Sequence, residues 1–307
     1  VVHETNTAQR ARLKRCITQR LDQLPVLPVL VTRLMALDRT HDDFPEAVLD
    51  LIGLDPTYAA RVLSAANSAA SAPAAPITTL RHAIMRIGSG RAVDLVTAAA
   101  LTRLFAPRDA WEKSLWRHSI QVAVAARELA RYGHSEDISP DEVYPAALLH
   151  DIGRLVMFAE APDLLRFIDE GDWDTPERLV LAERAICGLT HTELGAAACR
   201  IWGIPDSIRD TVRDHHDSPT AAPRTKSAKN VALIRLADLA MFPSAMPGTL
   251  GLAESPQSLI EDLLMPKLPP FLAIDAASLH ELVRSATAEA EVMVRTLGLG
   301  DDADVRA

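Results

Sequence analysis

Ala146-Ala147-Leu148-Leu149-His150-Asp151-Ile152-Gly153-Arg154-Leu155-Val156-Met157-Phe158 is apolar almost throughout, yet an imidazole and a carboxylate stand side by side at its centre. The helical periodicity around the pair does not allow both to point away from the interior. A neutral polar group left unpaired in such a setting costs roughly 2–7 kcal/mol, and a charge costs more. A divalent cation is the partner that takes a neutral His nitrogen and an Asp oxygen together. The stretch therefore predicts a helix that carries cation ligands, with the rest of the chain supplying the others.

The chain around it has 307 residues, 48% hydrophobic and 24% charged, which is the balance of a globular protein rather than a disordered one. Aromatics make up only 4%, Ala is plentiful, and Val, Ile and Thr rarely alternate, so closely packed helices are expected over a sheet. A net charge of −9 argues against general nucleic-acid binding. Cys16, Cys187 and Cys199 are scattered and read as reduced, mostly buried thiols. No apolar run reaches the roughly 18 residues of a membrane span, and no signal peptide opens the chain. A cytoplasmic protein without a membrane span is the expectation.

Working outward, residues 5–23 predict an Arg-rich leader helix, followed by Leu24-Pro25-Val26-Leu27-Pro28, whose prolines fix an extended turn. Five short helices are expected over 29–37, 44–54, 55–68, 80–88 and 90–105. The third starts at Asp55-Pro56, a capping carboxylate before Pro at the first helical position. Ala106-Pro107 marks a boundary between lobes. Beyond it the pattern predicts a helix over 111–132, then one capped at Ser139 that runs through His150 and Asp151. Further helices are expected at 161–170, 175–187, 191–202, 206–216, 230–241 and 278–297. Residues 218–229 read as a mobile loop, and 242–270 as a Pro-rich, partly irregular segment. The predicted organisation is a leader helix (1–23), a first helical lobe (24–106), a second lobe carrying the ligands (107–241), and a closing segment (242–307).

Separated motifs in this order resemble the HDOD output domain. In the first lobe they are Leu24-Pro25-x-Leu27-Pro28, Leu54-Asp55-Pro56, the run from Arg61 to Ser68, and Pro76-Ile77-Thr78-Thr79-Leu80. In the second they are Leu115-Trp116-x-His118-Ser119, Leu148-Leu149-His150-Asp151-Ile152-Gly153, His191-Thr192-Glu193-Leu194-Gly195, Trp202-Gly203-Ile204-Pro205, His215-His216 and Leu236-Ala237-Asp238. The resemblance implies an all-α fold, with an N-terminal helical bundle lobe packed on a C-terminal lobe like that of the HD phosphohydrolases. It also implies a bacterial signalling role with protein partners.

Laid on the pattern of the two-metal HD enzymes, the candidate ligands are His118, His150, Asp151, His191, His215, His216 and Asp238. One cation would take His118, His150, Asp151 and Asp238. Asp151 would bridge to a second held by His191, His215 and His216. Mixed His and carboxylate ligation suits Fe, Mn or Zn. Two such ions can clamp a phosphate and activate a water, which implies a phosphohydrolase acting on a nucleotide or cyclic nucleotide. Asp151 would then be catalytic, and Arg154, one turn on, would meet a phosphate oxygen.

Two departures bear on substrate. Arg154 stands where the cyclic-dinucleotide enzymes carry Lys. Asp217-Ser218-Pro219-Thr220 follows the His pair in place of their Gly-Tyr-Pro. A buried His is more often a hydrogen-bonded core residue than a ligand; it is seven residues in the family's order that favour ligation. Adjacent helical residues point about 100° apart, so His215 and His216 need not reach one cluster. Arg154 has the simpler reading of a surface charge paired with a carboxylate. Asn67 and Asp55 read as cap and turn residues. His41, His82, His134 and His280 read as solvated, and Arg224, Lys226 and Lys229 as loop charges.

Overall fold

In the computed structural model every regular element among the described residues is a helix. These residues are 7–68, 73, 75–133, 138–171, 176–217, 223, 225–245 and 256–300. The leader forms α1 (Thr7–Leu21) and buries Ile17. The first lobe holds α2 (Val29–Met35), α3 (Phe44–Gly53), α4 (Pro56–Ala66), α5 (Leu80–Ile87) and α6 (Ser89–Leu104). Asp55 caps α4 as its sequence predicts, accepting a hydrogen bond from the Thr57 amide at 2.8 Å. Asn67 closes the same helix. Its amide donates to the carbonyls of Leu63 (2.9 Å) and Ile77 (2.8 Å), and its oxygen accepts from the Ile77 amide (2.8 Å).

The second lobe is organised around α7 (Ala110–Tyr132), against which α8 (Pro140–Leu149), α14 (Lys226–Ala245) and α16 (Ala276–Thr296) pack. Small residues on α7 make that possible: Ala123, Ala125 and Ala126 are buried beside Trp116 and Ile120. The Trp116 indole N–H donates to the Phe105 carbonyl at 2.9 Å, which ties α7 to the end of α6. Around the other side run α9 (Ile152–Glu160), α10 (Pro162–Asp169), α11 (Pro176–Cys187), α12 (His191–Ile201) and α13 (Asp206–Asp214). The segment expected to be irregular is largely helical where described: α14 extends to Ala245. A single turn, α15 (Pro256–Ser258), then continues through a wide π turn at Leu259–Leu264 and a tight turn at Met265–Lys267.

Several sequence expectations need correction. The pattern carried one helix through His150 and Asp151, but the chain turns there: α8 ends on His150 and α9 begins after Asp151, whose φ of −99° and ψ of 12° leave the helical basin. Ser139 takes the N-cap position without a side-chain cap; its carbonyl alone accepts from Glu142 and Val143. Lys226 and Lys229 belong to the start of α14 rather than to a loop, Lys226 pairing with Glu142 at 2.5 Å. Arg224 and His134 lie outside the described residues, while His41, His82 and His280 are exposed as expected.

The lobes are joined by polar contacts as well as by a continuous core. Arg39, after α2, reaches Asp141 on α8 (2.9 Å) and Asp94 on α6 (3.4 Å). Arg127 on α7 is buried between Asp94 (2.9 Å) and Glu289 on α16 (2.7 Å). Cations and carboxylates this deep must be paired, because each alone would carry a desolvation cost of several kcal/mol.

Candidate metal centre

His118 projects from α7 and Asp238 from α14, the two packed helices of the second lobe. His150 and Asp151 occupy the α8–α9 turn, His191 opens α12, and His215 and His216 follow the last residue of α13. Although neighbours along a helix point apart, the rings of His215 and His216 lie 4.1 Å from each other, centroid to centroid. The seven side chains gather in two adjoining groups. One holds His118, His150 and Asp238; the other holds Asp151, His191, His215 and His216. Within each group one potential ligand atom per residue lies within 4.8 Å of the rest. All are buried except His216, which is partly so.

Asp151 stands between the groups. Its Oδ1 is 3.2 Å from His191 Nε2 and 3.9 Å from His215 Nε2, while its Oδ2 is 3.5 Å from His150 Nε2. Three of the imidazoles are fixed from behind. The Nδ1–H of His150 donates to the Ala147 carbonyl, that of His215 to the Val212 carbonyl, and that of His191 to Glu183 Oε2, each at 2.7 Å. This arrangement leaves the Nε2 lone pairs facing inward. His150 Nε2 is buried with no hydrogen-bond partner. His118 Nε2 lies 3.0 Å from Asp238 Oδ1.

The electrostatics follow from burial and crowding. Burial holds His150, His215 and His216 below the usual imidazole range, and neighbouring imidazoles push the last two further down. Burial pushes His191 down too, but the Glu183 and Asp151 carboxylates outweigh it and raise the group. Burial would raise Asp151, yet His150, His191 and Arg154 hold it well below the ordinary carboxylate range. Asp238 is likewise lowered against burial by its hydrogen bond from His118. Neutral His150, His215 and His216 beside ionised Asp151 and Asp238 are in the protonation state that divalent-cation ligands require, while His191, held up by two carboxylates, would give up a proton to a cation. An orphaned inward nitrogen, fixed tautomers and a mixed His/Asp donor set fit a cation at each group.

Arg154 is buried rather than a surface charge, and it pairs with carboxylates. It is 3% exposed, pairs closely with Asp169 at the end of α10, and lies 3.9 Å from Asp151 Oδ2. Gly153 explains the close approach of α9 to α12, since a Cβ there would lie 1.9 Å from the His191 carbonyl oxygen.

Glu183 and Asp169 escaped the sequence reading. Glu183 is fully buried and also accepts from the His191 backbone N–H at 2.9 Å. Both had a visible signal: Glu183 shares the apolar stripe of α11 with Leu179, Ile186 and Cys187, and Asp169 follows Leu165 and Ile168 on that of α10. A carboxylate on an apolar stripe calls for a buried partner.

A family model described as the HDOD domain matches residues 24–218. An HDOD domain protein of unknown function from Geobacter sulfurreducens is 25% identical, with a TM-score of 0.70 over 96% of this chain and 99% of that one. A candidate phosphohydrolase from Shewanella amazonensis, 23% identical, gives 0.65 over 92% and 98%. A candidate signal transduction protein from Marinobacter aquaeolei, 20% identical, gives 0.67 over 97% and 67%. At these identities the last two speak for the fold alone. An uncharacterised protein of Treponema pallidum is 24% identical over 215 residues, 69% of this chain and 41% of that protein. The chain thus spans under half the length of that relative. No helix among the described residues is long and apolar enough to cross a membrane.

Proposed function

The chain belongs to the HDOD family, and from that premise we propose that it is a bacterial signalling output module built around a divalent-cation centre. His118, His150 and Asp238 hold one ion, and Asp151, His191, His215 and His216 hold a second, with Asp151 shared. Fe, Mn or Zn suits that donor set. The observation that carries the reading is the convergence of seven side chains from five separate segments, with a buried imidazole nitrogen left without a partner. A cytoplasmic location and protein partners in a signalling chain complete the proposal.

A second reading, a metal-dependent phosphohydrolase acting on a nucleotide or cyclic nucleotide, is favoured by the cavity that opens onto the centre, because His216 and Asp238 line it. When bound, the ions would polarise a phosphate oxygen and acidify a water. The chain's own part is to hold the site. Asp151 offers one oxygen to each group, and Glu183 fixes the tautomer of His191. Arg154, anchored by Asp169, supports the charge of Asp151 from the side and acts as a positioning residue.

Turnover separates the two readings. The purified chain, supplied with Mn or Fe, is assayed for release of phosphate or linear nucleotide across a broad panel beside Asp151→Ala. Cations bound without turnover support the module. Turnover abolished by the substitution supports the hydrolase.

A further inference from the structure

The cavity beside the cluster measures about 770 Å³, within the range of sites that enclose a small organic ligand. His216 and Asp238 join it to the proposed cation centre. Val231, Leu239 and Leu268 give it apolar lining, and Pro266, Pro269 and Pro270 close a wall that lies past residue 218, outside the segment the family model matches.

The charges around it are mostly spent. Asp214 is held by Arg213 at 2.6 Å. Glu177 is held by Arg235 at 2.8 Å, and Arg235 also donates to the carbonyls of His215 and Asp217. Arg154 is locked to Asp169 and does not line the cavity. Lys267 and the Asp217 carboxylate remain without a partner among the described residues, one free cation against one free anion. A ligand with several phosphates would bring its excess charge against Asp217 with a single free lysine among the described residues to offset it. A ligand with one phosphate puts that charge at the cations and needs only Lys267 besides.

We propose that this cavity binds a small organic phosphate bearing a single phosphate group, with Lys267 as its anion contact. The inference rests on the cation centre proposed above. It gives the free positive charge of the cavity to the proline-rich wall instead of to Arg154.

The test is calorimetric titration of AMP and of ATP into the manganese-loaded chain and its Lys267→Glu variant, with bound manganese measured in each. AMP is expected to bind more tightly than ATP. The substitution is expected to weaken AMP about tenfold, the scale of one charged contact, while bound manganese stays unchanged. ATP binding as tightly as AMP, no AMP binding to the loaded chain, or AMP affinity unaffected by the substitution overturns the inference and leaves the cation centre intact. A folded chain that takes up no manganese overturns the cation centre, and this inference with it.

Discussion

Glu183 decides which nitrogen His191 presents. Its carboxylate accepts from both Nδ1–H and the backbone N–H of that residue, so Glu183→Gln removes the charge while nearly preserving the shape. Loss of such a partner behind a ligand typically weakens cation affinity about 10–100-fold. Chelator competition on the folded variant should show that drop, and an affinity equal to that of the parent would remove Glu183 from the site. The thiols give a second residue-level expectation. Burial pushes Cys187 and Cys199 up to about 12, whereas Cys16 is exposed. At about pH 8 both buried groups stay as neutral thiols, which are poor nucleophiles. A chromogenic disulfide reagent should therefore modify Cys16 alone in the native chain and all three after denaturation. Rapid native labelling of Cys187 or Cys199 would contradict their placement.

At the scale of the elements, the α8–α9 turn is where sequence and structure part. The seven candidate ligands could be picked out because they fall in separated motifs in a known order, which does not depend on exact helix bounds, and the structure gathers them in two adjoining groups. The turn itself was not legible, because apolar spacing runs unbroken from Ala146 to Phe158. The contact that accompanies the turn is tertiary: α9 approaches α12 through Gly153, opposite the His191 carbonyl. Arg154 was legible only in part. Its pairing with a carboxylate was the simpler of the two readings, but its burial and the identity of the partner, Asp169 fifteen residues on, were not in the local pattern. Gly153→Ala should therefore force the two helices apart, since the clash is with backbone. The expected cost is about 1–3 kcal/mol or more, read from urea denaturation, together with weaker cation binding. A variant of parental stability would refute the close packing.

The whole molecule depends on charges buried where its lobes and its last helix meet. Helix order was largely readable from periodicity and caps, but the pairing of Arg127 with Asp94 and Glu289 joins residues too far apart in sequence for local pattern to reveal. Arg127→Met leaves Asp94 buried with one cation fewer, and losing a partner of this kind costs about 3–5 kcal/mol. A change below about 1 kcal/mol in the unfolding free energy would show that the network is not what joins these helices. The cation centre draws on both faces of this architecture: α7, α14 and His150 of the α8–α9 turn supply one group, and Asp151 of that turn, α12 and the end of α13 supply the other. Its most direct test is the metal content of the chain purified without added chelator, measured by plasma mass spectrometry beside Asp151→Ala. The account predicts about one to two Fe, Mn or Zn ions per folded chain and a marked loss in the variant. A folded chain that carries none, and takes up none when they are supplied, would contradict it.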